Sequence, residues 1–205
     1  FAIDFLTGIQ KRNLGNKNAQ YINVEDKKVV VIGGGDTAMD CVRTSVREGA
    51  ASVKCLYRRD EANMPGSKKE VVNAKEEGVE FVFNVSPKSI KVENDLAVGV
   101  ELLETSMSKS DTSGRQKVVL IEGSEYLEDA DVIILALGFS PEVPSFLKEL
   151  NVETNSWGGI VVDSNFKTSN KKVYAGGDCQ RGAHLAVTAA VDGREAAKTI
   201  IKELL

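Results

Sequence analysis

Strand-like and helix-like patterns alternate along the first half of the chain, and this alternation predicts an α/β fold with a doubly wound parallel sheet. In the segment 28–32 a lysine is followed by an uninterrupted apolar run, as expected for a strand buried on both faces of a parallel sheet. A helix pattern follows over Thr37–Arg47, closed by Gly49, and a second apolar strand is expected over Ser52–Tyr57. A strand–helix–strand order is typical of parallel sheets whose helices cross between neighbouring strands.

The middle of the chain predicts one more helix and strand before a change to antiparallel pairing. Ser67 and Glu70 have capping-box spacing, so a helix should begin with Ser67 bonding first-turn N–H groups and Glu70 reaching back. This helix should stop near Gly78, and a third strand is expected at Val79–Val85. An antiparallel β-meander with a polar loop at 106–115 and a closing buried strand should follow, over Ser89–Val92, Val98–Leu103, Lys117–Ile121 and Asp131–Leu137.

The pattern changes again after Pro141. Short strands are expected at Gly159–Asp163 and Lys172–Tyr174, and one long helix over Ala183–Leu204. Because the first half of that helix is small and apolar almost all round, we expect it to be buried. The chain therefore divides into a connecting helix and linker (1–27), a first domain (28–139) and a segment of a second domain (140–205).

Composition narrows the possible partners. The 205 residues carry 30 acidic and 26 basic side chains without a basic run, so nucleic acid is not expected as a partner. No apolar stretch approaches the ~20 residues that cross a bilayer, so no membrane partner is expected. Cys41, Cys55 and Cys179 lie far apart, which indicates neither a zinc site nor a dithiol pair and suits the reducing cytoplasm. The start of the chain has neither a Met nor a signal-peptide pattern, so we expect it to belong to a longer chain.

The glycine-rich turn at 33–38 has the G-x-G-x-x-A pattern of a Rossmann dinucleotide site. Gly33 permits a tight turn, Gly35 lets the backbone approach a pyrophosphate, and Ala38 lets the helix pack closely on the strand. The anion would then lie on free N–H groups at the positive end of the helix dipole. Asp36 would repel a phosphate, so we expect its side chain to point away, toward backbone N–H groups or the nicotinamide half.

Cofactor choice is expected about 20 residues further on, at the end of the second strand. An NAD site usually has an acidic residue there, whereas this sequence has Arg58 and Arg59. Two guanidinium groups can grip a 2′-phosphate, which favours NADP(H) over NAD(H). The alternatives at this point are a glycine turn without a ligand and a solvated pair of arginines.

Longer stretches of the sequence resemble a known family. With the glycine turn, the runs Ala50–Glu61, Met64–Phe81 and Val173–Asp178 are similar to the small (β) subunit of bacterial NADPH-dependent glutamate synthase. That family belongs to the flavoproteins with two dinucleotide sites, in which an NADPH domain is inserted into an FAD domain. The resemblance implies hydride transfer from NADPH to FAD, and then electron flow through 4Fe-4S clusters to a large subunit that makes glutamate.

The resemblance also implies site residues. Ala136–Pro141 resembles the A-x-G-x-x-P segment between the two domains, and Ala175–Asp178 resembles the flavin motif whose aspartate bonds the ribityl chain. The start of the following helix would point at the flavin, with the only histidine as a packing or capping residue. The expected NADPH residues are Gly33, Gly34, Gly35, Asp36, Thr37, Ala38, Arg58, Arg59, Ala136 and Gly138. The expected FAD residues are Gly177, Asp178, Ala183, His184 and Leu185. No catalytic side chain and no metal ligand is expected, because the cofactors carry the chemistry.

The sequence departs from the family at its beginning. The N-terminal cysteine motifs for the 4Fe-4S clusters and the first flavin G-x-G-x-x-G motif are not in this sequence, so we expect it to be the C-terminal portion and inactive alone. A related reductase such as ferredoxin:NADP oxidoreductase is an alternative, and so is a non-catalytic NADP(H)-binding module. Thioredoxin reductases share the two-domain plan but need a C-x-x-C pair that this sequence does not contain.

Overall fold

The computed structural model describes residues 1–108 and 116–205. They divide into two compact units, Phe1–Leu137 and Gly138–Leu205. The division lies two residues before the position expected from the sequence. Residues 109–115 of the polar loop expected at 106–115 lie outside the described residues, and 106–107 continue a strand.

The first unit alternates strands and helices and then adds antiparallel strands. Its elements are α1 (Ala2–Asn13), β1 (Lys28–Ile32), α2 (Asp36–Arg47), β2 (Ser52–Tyr57), α3 (Lys68–Glu76), β3 (Glu80–Phe83), β4 (Val85–Glu93), β5 (Leu96–Met107), β6 (Val118–Leu120), β7 (Tyr126–Asp129) and β8 (Val132–Leu135). A single 3-10 turn, Glu61–Asn63, lies between β2 and α3.

A parallel sheet in the order β3-β2-β1-β8 forms the centre of this unit. Alternate residues of β1 enter two cores: Val29 and Val31 face the layer of α1, α2 and α3, whereas Val30 and Ile32 face residues of β4 and β5. This two-sided burial explains the uninterrupted apolar run, because successive side chains of a strand point to opposite faces. The α/β class is confirmed, with the antiparallel strands covering the second face.

The antiparallel layer is built around β5. It pairs with β4, β6 and β7. The layer thus has four strands, whereas the sequence predicted three antiparallel segments. The strand β7 was missed because its residues are mostly exposed and give no apolar alternation. The strand expected at Val79–Val85 is also divided, because Asn84 has a φ of +57° and interrupts the extended backbone between β3 and β4.

Residues 1–27 are part of the first unit. Phe5 and Ile9 of α1 are buried with Val24 in the core beneath the parallel sheet. The segment expected as a connecting helix and linker therefore contributes side chains to the core of that unit. Among the residues that the structure describes, no helix combines the length and apolar character needed to span a bilayer.

The second unit contains α4 (Phe146–Glu149), α5 (Asp178–Arg181) and α6 (Ala186–Leu204). The two strands expected here are wrong: only the isolated bridges Thr154–Ile160 and Lys167–Tyr174 form. The long helix begins at Ala186, three residues later than expected. The expected burial of its first half is also wrong, since only Asp192 and Ala196 are buried in α6. These two residues lie four positions apart on one face, so apolar residues on the other faces stay exposed.

Candidate functional site

The carboxyl ends of three neighbouring strands meet at one edge of the parallel sheet. Ile32 at the end of β1 is in register with Leu56 on one side and with Leu135 on the other. The glycine turn leaves β1, the arginine pair leaves β2, and Ala136 follows β8. The strand order changes direction beside β1, and such a switch point is where open α/β sheets bind their ligands.

Gly33 has no room for a side chain. Its φ is +148°, and a Cβ atom would lie 2.2 Å from the Ala136 carbonyl oxygen. The Ala136 N–H in turn donates to the Ile32 carbonyl at 2.9 Å. On the far side the Cys55 thiol donates to the Gly33 carbonyl at 3.3 Å. The turn after β1 is therefore fixed between β8 and β2.

Gly35 is the N-cap of α2 and faces open space. Its φ is −89° and a Cβ atom there would meet nothing within 4 Å. No side chain among the described residues caps this helix end. The Ala38 N–H donates to the Gly35 carbonyl at 2.9 Å, so the Asp36 and Thr37 N–H groups before it are the ones available to a ligand. Ala38 is fully buried in the core with Val29 and Val31, which is the close helix–strand packing expected of that position.

Asp36 turns toward a backbone N–H group, which is one of the two directions expected for it. Its Oδ1 atom accepts the Ser67 N–H at 2.7 Å. Beside it, the Gly66 N–H donates to the Gly34 carbonyl at 2.9 Å. The loop before α3 is thus bound to the glycine turn by two hydrogen bonds.

The capping box expected at Ser67 and Glu70 is wrong. Ser67 is the N-cap of α3, but its side chain makes no cap hydrogen bond. The Glu70 carboxylate instead accepts a hydrogen bond from the Arg43 guanidinium. The pair with Arg43 adds the attraction between opposite charges to the hydrogen bond, and Asp36 accepts the Ser67 N–H in place of Glu70.

The charges near the start of α2 are mainly acidic. Burial raises the pKa of Asp40, and repulsion from Asp36 and Glu70 raises it further, whereas Arg43 lowers it. A bound phosphate would be repelled by these carboxylates. The positive charge that could balance it comes from the loop after β2.

Arg58 and Arg59 follow β2 directly. Arg58 is exposed and Arg59 is half-buried, and the Arg59 Nε atom is buried without a hydrogen-bond partner among the described residues. A buried donor without an acceptor is uncommon, and an anion would satisfy it. The Tyr57 ring lies over Gly34, where a Cβ atom would come within 2.5 Å of it. The arginines therefore leave the sheet beside the glycine turn.

The residues expected to hold flavin lie in the second unit. Asp178 begins α5, and its Oδ1 atom accepts the His184 N–H at 3.3 Å. The His184 Nδ1 atom lies 2.9 Å from the Thr188 hydroxyl, a contact between two side chains, so the packing or backbone-capping role expected for this histidine stays a prediction. Leu185 is the N-cap of α6 and forms no side-chain cap hydrogen bond, so the helix starts directly after the segment Ala183–Leu185 that was expected to face the flavin.

A buried carboxylate that the sequence analysis missed supports this motif. Asp192 is 2% exposed, and its Oδ2 atom accepts the Gly177 N–H at 2.9 Å and Arg181 Nε at 2.8 Å. A lone Asp in an otherwise small and apolar helical stretch was the available signal, because buried carboxylates need partners. Asn84 and Thr105, whose hydrogen bonds reach the arginine loop, left no comparable signal in the sequence.

The arrangement in the first unit fits a phosphorylated dinucleotide. It offers an open backbone approach at Gly35, and within residues 1–108 and 116–205 nothing caps the start of α2 or accepts a hydrogen bond from the buried Arg59 Nε atom. Among the described residues, no group of three or more His, Cys, Asp or Glu side chains is placed to hold a metal ion.

Comparison with protein families shows to which family of proteins the chain belongs. The family described as "Pyridine nucleotide-disulphide oxidoreductase" matches residues 5–193. The chain belongs to this family. The family description mentions disulphides, but Cys41, Cys55 and Cys179 of this chain are all free thiols.

Curated members related to this chain confirm the resemblance seen in the sequence. The Escherichia coli protein named "Glutamate synthase [NADPH] small chain" is 48% identical over 99% of this chain and 45% of its own length. The "Putative oxidoreductase AegA" of the same organism is 47% identical over 98% of this chain and 32% of its own length. The "NADPH-Fe(3+) oxidoreductase subunit beta" of Geobacter sulfurreducens is 35% identical over 87% of this chain and 30% of its own length. The chain thus spans less than half the length of these relatives.

Solved structures support the fold. FprA of Mycobacterium tuberculosis in complex with NADPH matches with a TM-score of 0.76 and 17% identity, over 99% of this chain and 58% of that one. Thioredoxin reductase of T. acidophilum matches with a TM-score of 0.69 and 24% identity, over 96% and 56%. At these identities the likeness concerns the fold alone.

Proposed function

We propose that the chain is the NADPH-binding part of a flavoprotein oxidoreductase that passes hydride from NADPH to FAD. The observation that carries this proposal is the meeting of the glycine turn (33–38) and Arg58–Arg59 at one edge of the parallel sheet. NADPH supplies the hydride when bound, and the residues of this chain bind and orient it.

Each part of the glycine turn has a distinct task in this proposal. The N–H groups at the start of α2 would hold the pyrophosphate, which Gly35 admits because its position is open. Gly33, Gly34, Thr37 and Ala38 would give the turn its shape, and Asp36 would keep its charge on the side of Ser67.

The arginine pair would select the nucleotide. Arg58 and Arg59 would bind the 2′-phosphate, with the unpaired Arg59 Nε atom as one donor. Ala136 would close the opposite side of the site after β8, and Gly138 stays a prediction from the family resemblance.

The second unit would contribute to an FAD site. Asp178 would bond the ribityl chain, and the uncapped start of α6 would favour negative charge on the flavin through its dipole. Gly177 would be held for this purpose by the buried Asp192 carboxylate. In the intact protein, 4Fe-4S clusters and the rest of the FAD site would be supplied from outside these residues, and the free thiols suit the cytoplasm.

Nucleotide binding tests the site directly. The full chain is titrated with NADPH and with NADH, alongside the double variant Arg58→Ala/Arg59→Ala. We expect the chain to bind NADPH more tightly than NADH. The double variant should bind NADPH about tenfold or more weakly, because two charge-assisted contacts to phosphate disappear. The control is Arg194→Ala, whose side chain is 68% exposed on α6. Equal affinity for both nucleotides would refute the assignment.

The electron acceptor is proposed from the relatives. A relative that shares 48% identity is named as a glutamate synthase small chain, so we propose a glutamate synthase large subunit as the partner. The intact protein should oxidise NADPH with ferricyanide as acceptor. With the large subunit, NADPH oxidation should depend on glutamine and 2-oxoglutarate. Ferredoxin reduction without that dependence would favour a ferredoxin:NADP reductase, and NADPH binding without turnover would favour a non-catalytic module.

A further inference from the structure

The antiparallel layer reaches back to the arginine loop through Thr105. This residue of β5 is 5% exposed, and its hydroxyl donates to the Arg58 carbonyl at 2.9 Å. A G-x-G-x-x-A turn and a strand–helix–strand unit do not require such a layer. The contact therefore connects β5 to the candidate nucleotide site. The G-x-G-x-x-A turn and the parallel strands do not by themselves provide this connection.

A second connection reaches the neighbouring arginine. The Asn84 N–H donates to the Arg59 carbonyl at 3.1 Å, and the Asn84 carbonyl accepts the Thr105 N–H at 2.7 Å. Asn84 has a φ of +57°, a conformation that asparagine tolerates better than most residues. The backbone carbonyl groups of both arginines thus accept hydrogen bonds from Thr105 and Asn84, which are also hydrogen-bonded to each other.

We propose that Thr105 is a positioning residue for nucleotide selection, acting on the 2′-phosphate through the Arg58 backbone. The proposal rests on the proposed function, in which the arginine pair binds that phosphate. A loop after a strand loses conformational freedom when it binds a ligand, and this cost falls when its backbone is already fixed. NADPH benefits from the fixed arginines, whereas NADH has no phosphate for them to bind.

The test removes one hydroxyl and keeps the shape of the side chain. Thr105→Val loses the donor, and Thr105→Ser keeps it. The full chain and both variants are titrated with NADPH and with NADH by calorimetry. We expect Thr105→Val to weaken NADPH binding by about fivefold to tenfold, as for one lost hydrogen bond. NADH binding should stay within about twofold, and Thr105→Ser should restore NADPH binding to within about twofold.

A matched control separates positioning from general loss of stability. Thr168 in the second unit is 8% exposed, and its hydroxyl donates to the Val173 carbonyl at 3.0 Å. Thr168→Val removes a buried hydroxyl that also accepts the Asn170 N–H at 3.1 Å, and it should leave the ratio of the NADPH and NADH affinities unchanged. The proposal would be overturned if Thr105→Val weakened the binding of NADPH and of NADH equally, or weakened the binding of neither.

Two further variants keep the result interpretable. If Thr105→Val does not fold, Asn84→Ala tests the same connection, because alanine disfavours a φ of +57° while the N–H group remains. Asn84→Ala should weaken NADPH binding and leave NADH binding unchanged. Equal effects on the two affinities would again overturn the proposal. If Arg58→Ala/Arg59→Ala leaves NADPH binding intact, the proposed function fails. If that double variant loses NADPH while Thr105→Val does not, only the positioning role fails.

Discussion

Asp36 accepts the backbone N–H of Ser67 at 2.7 Å and thereby joins the start of α2 to the start of α3. The two residues are 31 positions apart, and both helix starts lie beside the glycine turn. The bond satisfies a backbone donor at the N-cap of α3, which the capping box was expected to satisfy. It also directs the Asp36 carboxylate toward α3.

Removing this bond should loosen α3. We expect Asp36→Ala to lower the free energy of unfolding by about 1 kcal/mol, because a cap-like acceptor is lost. Asp36→Asn keeps an oxygen that can accept the Ser67 N–H and should stay close to the wild type. Urea denaturation followed by circular dichroism measures the difference, with Asp4→Ala in the exposed first turn of α1 as the control. An equal loss in Asp36→Ala and Asp36→Asn would mean that the charge, and not the hydrogen bond, stabilises the helix.

Two glycines of one turn should respond in opposite ways to the same substitution. Gly33→Ala forces a Cβ atom to within 2.2 Å of the Ala136 carbonyl at a φ of +148°, so it should cost about 2–4 kcal/mol of stability. Gly35→Ala meets nothing within 4 Å and should fold normally, but its methyl group would occupy the space proposed for the pyrophosphate. We expect Gly35→Ala to lower NADPH affinity by about tenfold or more at unchanged melting temperature. Unaltered NADPH binding in Gly35→Ala would contradict the proposed position of the pyrophosphate.

The three thiols should differ in reactivity. Burial raises the pKa of Cys41 and of Cys55 to about 12, whereas Cys179 is exposed. Because the thiolate is the reactive form, one thiol should react quickly with DTNB at pH 8 in the folded chain, and all three after denaturation. Cys179→Ser should abolish the fast reaction. Fast reaction of two or more thiols in the folded chain would contradict the burial of the other two.

The elements that follow from local patterns were predictable. β1 and β2 match their predicted limits, and in β1 the two-sided burial leaves an uninterrupted apolar run over 29–32. The glycine turn was readable because its geometry admits few residue types at Gly33. The fold class could be inferred before any tertiary contact was known because strand and helix patterns alternate along the first half of the chain.

Features that depend on distant contacts were not predictable. Glu70 had the spacing of a capping residue, but Arg43 from another helix offers a charged partner. The exposure of the first turns of α6 depends on which elements pack against it, and an apolar composition does not specify them. Thr105 was invisible as a contact of Arg58 because 47 residues separate the two.

The ion pairs between α2 and α3 should make stability depend on pH through Glu77. Its Oε1 atom accepts hydrogen bonds from Arg43 Nη2 at 2.6 Å and Arg47 Nη2 at 2.8 Å, and these bonds lower its pKa below the ordinary value of 4.5. A carboxylate whose pKa is lowered by folding adds stability above its unfolded pKa, and that stability is lost as the pH falls through the folded value. Glu77→Gln should therefore melt a few degrees lower than the wild type at pH 7, and the gap should shrink as the pH falls below the ordinary carboxyl pKa of about 4.5. Calorimetry across this range measures the gap, with the exposed neighbour Glu76→Gln as the control. A gap that stayed constant down to pH 3 would assign the stabilisation to packing of the Glu77 side chain and not to its charge.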